Sequence, residues 1–77
     1  MTQEESTEMR LNFTFLMRKK NYSAYTSFSI VIHIANLEER ETGDKIVQEL
    51  MSLVEGGMPE QEFRKLAQEK YGIPMLG

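Results

Sequence analysis

Between Leu11 and Met17 apolar and polar positions alternate. Leu11, Phe13, Phe15 and Met17 recur at every second residue, so a period of two places all four on one side of a β-strand. The same period returns over Ala24–Ala35, with Phe28, Ile30, Ile32 and Ile34 on one face and Ser27, Ser29, Val31 and His33 on the other. The β-branched and aromatic content of these runs favours extended structure. Arg18, Lys19, Lys20 and Asn21 break the apolar pattern between them, the usual position of a hairpin connection.

Beyond Ala35 the period changes to three and four. Asn36 is a good helix N-cap and Glu39 follows three positions on, which predicts a helix from Leu37. Gly43 would cost a helix interior about 1 kcal/mol relative to alanine, and Thr42 and Asp44 are themselves capping residues, so a start near Thr42 is the alternative. Ile46, Val47, Leu50, Met51, Leu53 and Val54 carry the helix to Glu55, and Gly56 with Gly57 ends it. Pro59 suits the first turn of a second helix, Glu60 and Glu62 complement its positive end, and Phe63, Leu66, Ala67 and Tyr71 form its apolar stripe. Gly72, Ile73 and Pro74 stop it, with Ile73 able to pack back on the last turn.

The expected fold class is therefore α+β, a β-hairpin followed by two helices. Residues 1–9, polar and acidic without periodicity, are expected as a flexible arm, residues 10–74 as a single ββαα domain, and residues 75–77 as a short apolar tail. No internal repeat is present.

Composition narrows the functional classes. A chain of 77 residues buries only about 60% of the surface its unfolded form exposes, and with no cysteine it has no disulfide to compensate for a small core. Thiolate metal sites and cysteine nucleophiles are excluded on the same ground. The net charge of -3 gives no general attraction to nucleic acid. No apolar run approaches the roughly 20 residues needed to cross a bilayer, and the first residues are acidic, so the chain is expected to be cytoplasmic and without a membrane partner.

A two-stranded hairpin with two helices on one face leaves both strand edges open. The second strand contains no proline, lysine or arginine to block edge pairing. It predicts a homodimer paired through that strand, in which Phe28, Ile30, Ile32 and Ile34 of both copies make a shared floor. A strand supplied by a different protein is the alternative.

Candidate chemistry is sparse. Ser29 and His33 share a strand face but stand four residues apart, about 13 Å at 3.3 Å per residue, too far for a nucleophile and its base. Glu38, Glu39, Glu41 and Asp44 match no calcium-loop spacing and read as an acidic helix start. No dinucleotide fingerprint, metalloprotease motif or nucleophile elbow occurs. Neither an enzyme nor a cofactor is expected. Arg18, Lys19 and Lys20, with Tyr22 and Tyr25 after the turn, combine cations and rings in the way single-stranded nucleic acid requires. Six methionines and the apolar tail suit an adaptable protein-binding surface, for which Met51, Val54, Met58, Met75 and Leu76 are the candidates.

The sequence thus points first to a small non-enzymatic regulatory or adaptor protein that binds another protein as a strand-paired homodimer. A nucleic-acid-binding regulator using the basic hairpin tip is second, and a ligand site or enzyme at a subunit interface is third.

Overall fold

The computed structural model describes residues 2–77. It holds four helices: α1, Gln3–Lys19; α2, Ala24–Ala35; α3, Arg40–Glu55; and α4, Glu60–Tyr71. No strand occurs among the described residues. The expected ββαα, α+β fold is therefore corrected to an all-α one, and with it falls the hairpin edge through which two copies were to pair.

The reason lies in the alternating pattern itself. A period-two apolar run contains two interleaved i, i+4 series, and a helix turning 100° per residue sends them to nearly opposite sides. In α1 the series Phe13 and Met17 is buried while Leu11 and Phe15 face water. In α2 the series Ile30 and Ile34 is buried while Phe28 and Ile32 are exposed. The four residues expected to share one strand face are thus divided between core and surface.

Local signals support helix at both places. Thr2 caps α1 by accepting from the Glu5 N–H at 3.1 Å, and Ser23 caps α2 by accepting from the Thr26 N–H at 3.4 Å. Between them Asn21 takes the left-handed conformation at φ 64°, and the Tyr22 N–H reaches back to the Met17 carbonyl at 2.9 Å. Arg18 and Lys19 complement the negative end of α1. The polar stretch after Met17 is therefore a helix ending and not a hairpin turn. Of the segment expected as a flexible arm, Gln3–Met9 forms the first turns of α1, with Ser6 fully buried against α3, and Met1 lies outside the described residues.

Helix α3 begins at Arg40, between the two starts expected for it, and Asn36 instead ends α2. Gly43 leaves room where side chains of α1 and α2 both approach α3. A Cβ at this position would lie 2.8 Å from Arg10 Nη2 and 3.2 Å from Ile34 Cγ2. The ending of α4 follows the expectation: Gly72 is left-handed at φ 64°, and Ile73, fully buried, returns its N–H to the Ala67 carbonyl at 3.1 Å.

The core is one cluster drawn from every helix and the tail, centred on Phe13, Met17, Ile30, Val47, Leu50, Val54, Phe63, Ala67 and Ile73. Tyr22 joins it with its ring tilted 58° to that of Phe63, centroids 5.2 Å apart, and its hydroxyl donates to the Met58 carbonyl. Burial and the nearby Glu60 charge push its pKa above the ordinary tyrosine value. Tyr71 donates to the Glu49 carboxylate, joining α4 to α3, and burial together with that carboxylate pushes its pKa up to about 12. No helix among the described residues is long and apolar enough to cross a membrane.

Candidate functional site

Two buried polar clusters hold the helices together. In the first, Asp44 on α3 is 8% exposed, and its Oδ1 accepts from Ser6 Oγ at 2.6 Å, Arg10 Nε at 3.0 Å and Arg10 Nη2 at 2.9 Å. Arg40 continues the chain, donating to Ser6 Oγ at 2.8 Å and to Thr7 Oγ1 at 2.9 Å. Burial by itself would raise the Asp44 carboxyl, but the hydrogen bonds from Ser6 and Arg10 and the charges of Arg10 and Arg40 outweigh it, leaving the pKa below the usual range.

In the second cluster Glu60, at the start of α4, accepts from the Ser23 N–H at 2.8 Å and from Thr26 Oγ1 at 2.6 Å. Burial opposes ionisation here too, and the bonds from Thr26 and Ser23 with the Arg64 charge hold the carboxyl low. Arg64 donates to Thr26 Oγ1 at 2.7 Å and to the Leu76 carbonyl, while the Leu76 N–H donates to Ser29 Oγ at 2.8 Å. Ser29 Oγ in turn donates to the Tyr25 carbonyl at 2.7 Å. Every buried side-chain polar atom described has a partner. Both clusters are fully satisfied internal braces, and neither presents an unused nucleophile or base. Among the described residues no group of acids or histidines is placed to hold a metal ion.

These braces give α2 an inverted polarity. Its inward side carries Thr26, Ser27 and Ser29, all buried, beside Ile30 and Ile34. Its outward side, an arc of about 120° at 100° per residue, is formed by Ala24, Tyr25, Phe28, Val31, Ile32 and Ala35. All six are exposed, the four large ones between 44% and 61%. A helix apolar all round ordinarily belongs in an interior, and the outward arc of α2 is more apolar than its buried one. Leu11 of α1, 53% exposed, shares a groove with Val31 and Ala35, and Phe15, 64% exposed, follows it one turn on along the same side of α1. A groove of about 200 Å³ joins the two helices, lined in part by Thr7, Leu11, Thr14, Val31 and Ala35.

The residues singled out from the sequence are distributed differently. Of the expected partner-binding set, Val54 is fully buried, and Met51, Met58 and Met75 are half-buried against the core. Leu76 alone is exposed, at 45%. Arg18, Lys19 and Lys20 are exposed at the end of α1, but Tyr22 beside them is committed to the core, which leaves Tyr25 as the free ring nearby. Phe28 and Ile32, expected on a dimer strand, do lie on the exposed face, with Ile30 and Ile34 behind them in the core. The residues missed are Leu11, Phe15, Tyr25 and Val31. The signal for Tyr25 and Val31 is the absence of any Asp, Glu, Lys or Arg from Ala24 to Ala35, and for Leu11 and Phe15 it is their four-residue spacing, both read on a helical instead of an extended period. Comparison with protein-family models, with curated proteins and with solved structures finds no match for this chain.

Proposed function

We propose that this protein is a small non-enzymatic binding domain that acts through the outward face of α1 and α2. The observation that carries the reading is the inverted polarity of α2. Six large apolar side chains, Leu11, Phe15, Tyr25, Phe28, Val31 and Ile32, stay 44–64% exposed, while hydroxyl side chains occupy the interior side of the same helix. At about 100 Å² exposed per side chain, the patch amounts to roughly 500–600 Å², at the upper end for a monomer surface and characteristic of a contact site. The two polar clusters have structural work and no free reactive group, which favours binding over catalysis as the activity.

A photoreactive side chain placed at Phe28 tests the proposal in cells that make the protein, with the same group at exposed Gln68 on α4 as the control. Light should join the Phe28 probe to protein and leave the Gln68 probe uncoupled. Adding Ile32→Glu on the same face should abolish the product. An uncoupled Phe28 probe, or equal coupling from both positions, would remove the reading.

A further inference from the structure

We infer that the occupant of the α1–α2 face is a second copy of this chain, packed face to face about a two-fold axis that lies across the helices. This inference rests on the binding-face reading above and adds the partner and its geometry.

The exposed stripe of α1 is ordered by charge. Glu4, Glu8, Leu11, Phe15 and Arg18 follow at intervals of four and three, Lys19 lies four beyond Phe15, and at 100° per residue all six lie on one side of the helix. The stripe is therefore acidic at its start, apolar in its middle and basic at its end. Helix α2 returns alongside in the opposite direction, because Leu11 and Thr14 line the groove with Val31 and Ala35. Its outward arc carries no formal charge and ends in alanine on both sides, at Ala24 and Ala35.

Two ways of laying this face on its own copy satisfy two-fold symmetry, and charge separates them. With the axis parallel to the helices, α1 lies over the uncharged α2 of its mate, so its acidic and basic ends meet no opposite charge while like ends stand at the same level. With the axis across them, α1 packs antiparallel on its mate, Leu11 meets Phe15, and Glu8 reaches Arg18. In the same arrangement α2 packs antiparallel on its mate. Phe28 meets Val31 and Ile32, and Ala24 meets Ala35, so the small residues at both ends let the helix backbones close. Towards the acidic end Asp44 neutralises Arg10, while Arg40, bonded to the neutral hydroxyls of Ser6 and Thr7, keeps its charge and offsets only one of the two charges of Glu4 and Glu8.

Area supports the same occupant. A standard stable interface takes about 800 Å² from each partner, and the roughly 500–600 Å² apolar patch with its charged ends supplies that without further surface. A self-complementary patch of this kind is what an isologous contact requires.

The test is the mass of the purified full chain in solution across a concentration series, by light scattering and native mass measurement. The expected result is a dimer that becomes a monomer with Ile32→Glu, while circular dichroism stays helical. Glu8→Arg alone and Arg18→Glu alone should each raise the dimer dissociation constant about tenfold or more at low salt. The two changes in one chain should restore it, since each copy then again offers an acid to a base. A chain that stays monomeric at every concentration overturns the inference, as does a dimer that the charge swap fails to restore. A monomer that instead sediments with anionic lipid vesicles would assign the face to a membrane surface and also overturn it. The Phe28 photoprobe separates the two levels. Coupling to a different protein with a monomeric purified chain leaves the binding face standing and removes the second copy, whereas no coupling and no dimer removes both.

Discussion

Asp44 shows how single residues set the stability of this small core. It is nearly buried, yet three donors from Ser6 and Arg10 meet one of its oxygens, and the charged form is favoured despite desolvation. Its carboxyl and that of Glu60 both titrate below their unfolded values of about 4. In that range the unfolded chain binds more protons than the folded one, so stability rises with pH. The contribution is complete above the unfolded pKa values and is lost as the pH falls through the folded ones. Asp44→Asn keeps an acceptor for Ser6 but removes the charge facing Arg10. It should cost about 1–2 kcal/mol at neutral pH, given that the Arg10 side chain is 22% exposed, and it should flatten the acid limb of the stability curve. Urea unfolding followed from neutral to acid pH reads both effects, and an acid limb as steep as that of the unaltered protein would assign the acid sensitivity to other carboxylates.

At the scale of elements, the second half of the chain was legible and the first was not. The helix through Ile46–Glu55 and the one opening at Pro59 carry a single apolar stripe, glycine stops and acidic starts, all pointing to one answer. In Leu11–Met17 and Ala24–Ala35 the apolar residues satisfy a strand with one buried face and equally a helix with two apolar sides. A helix apolar on two sides is unusual in a free-standing domain, which is why the extended reading won. The caps that decide the matter, Thr2 with Glu5 and Ser23 with Thr26, are short polar signals beside long apolar ones. Substitution distinguishes the periods directly. Ile30→Ala should cost about 2–4 kcal/mol, because the side chain is 1% exposed, whereas Ile32→Ala, at 52%, should stay within about 0.5 kcal/mol in solution dilute enough for a monomer. Equal losses at the two positions, measured by denaturant midpoints, would contradict the helix.

For the molecule as a whole, the extended period also hides the exposed apolar face proposed for binding, because a strand puts Phe28 and Ile32 on the same buried side as Ile30 and Ile34. The helical fold separates the two sides and gives the C-terminal tail a different task from the partner contact that its apolar residues suggested. Leu76 is bonded through its backbone to Ser29 on the inward side of α2 and to Arg64 on α4, and Met75 packs on the core. The tail is thus a strap across the seam between α2 and α4, with Gly77 ending against the Tyr25 ring at the edge of the outward face. Removing Met75, Leu76 and Gly77 leaves Arg64 still bonded to Thr26 and Ser29 still donating to the Tyr25 carbonyl, so no charge is stranded. What goes is one partner from each group and the packing of Met75, a loss of about 1–3 kcal/mol. The urea midpoint should fall by that loss divided by the slope, with the slope itself unchanged, since the surface exposed on unfolding hardly differs. Because the strap is bonded to Ser29 and Arg64 and meets the outward face at Tyr25, the shortened chain should still couple through a Phe28 probe under conditions where both are folded. Lost coupling in a folded, truncated chain would place the tail within the contact and return Met75 and Leu76 to the partner surface.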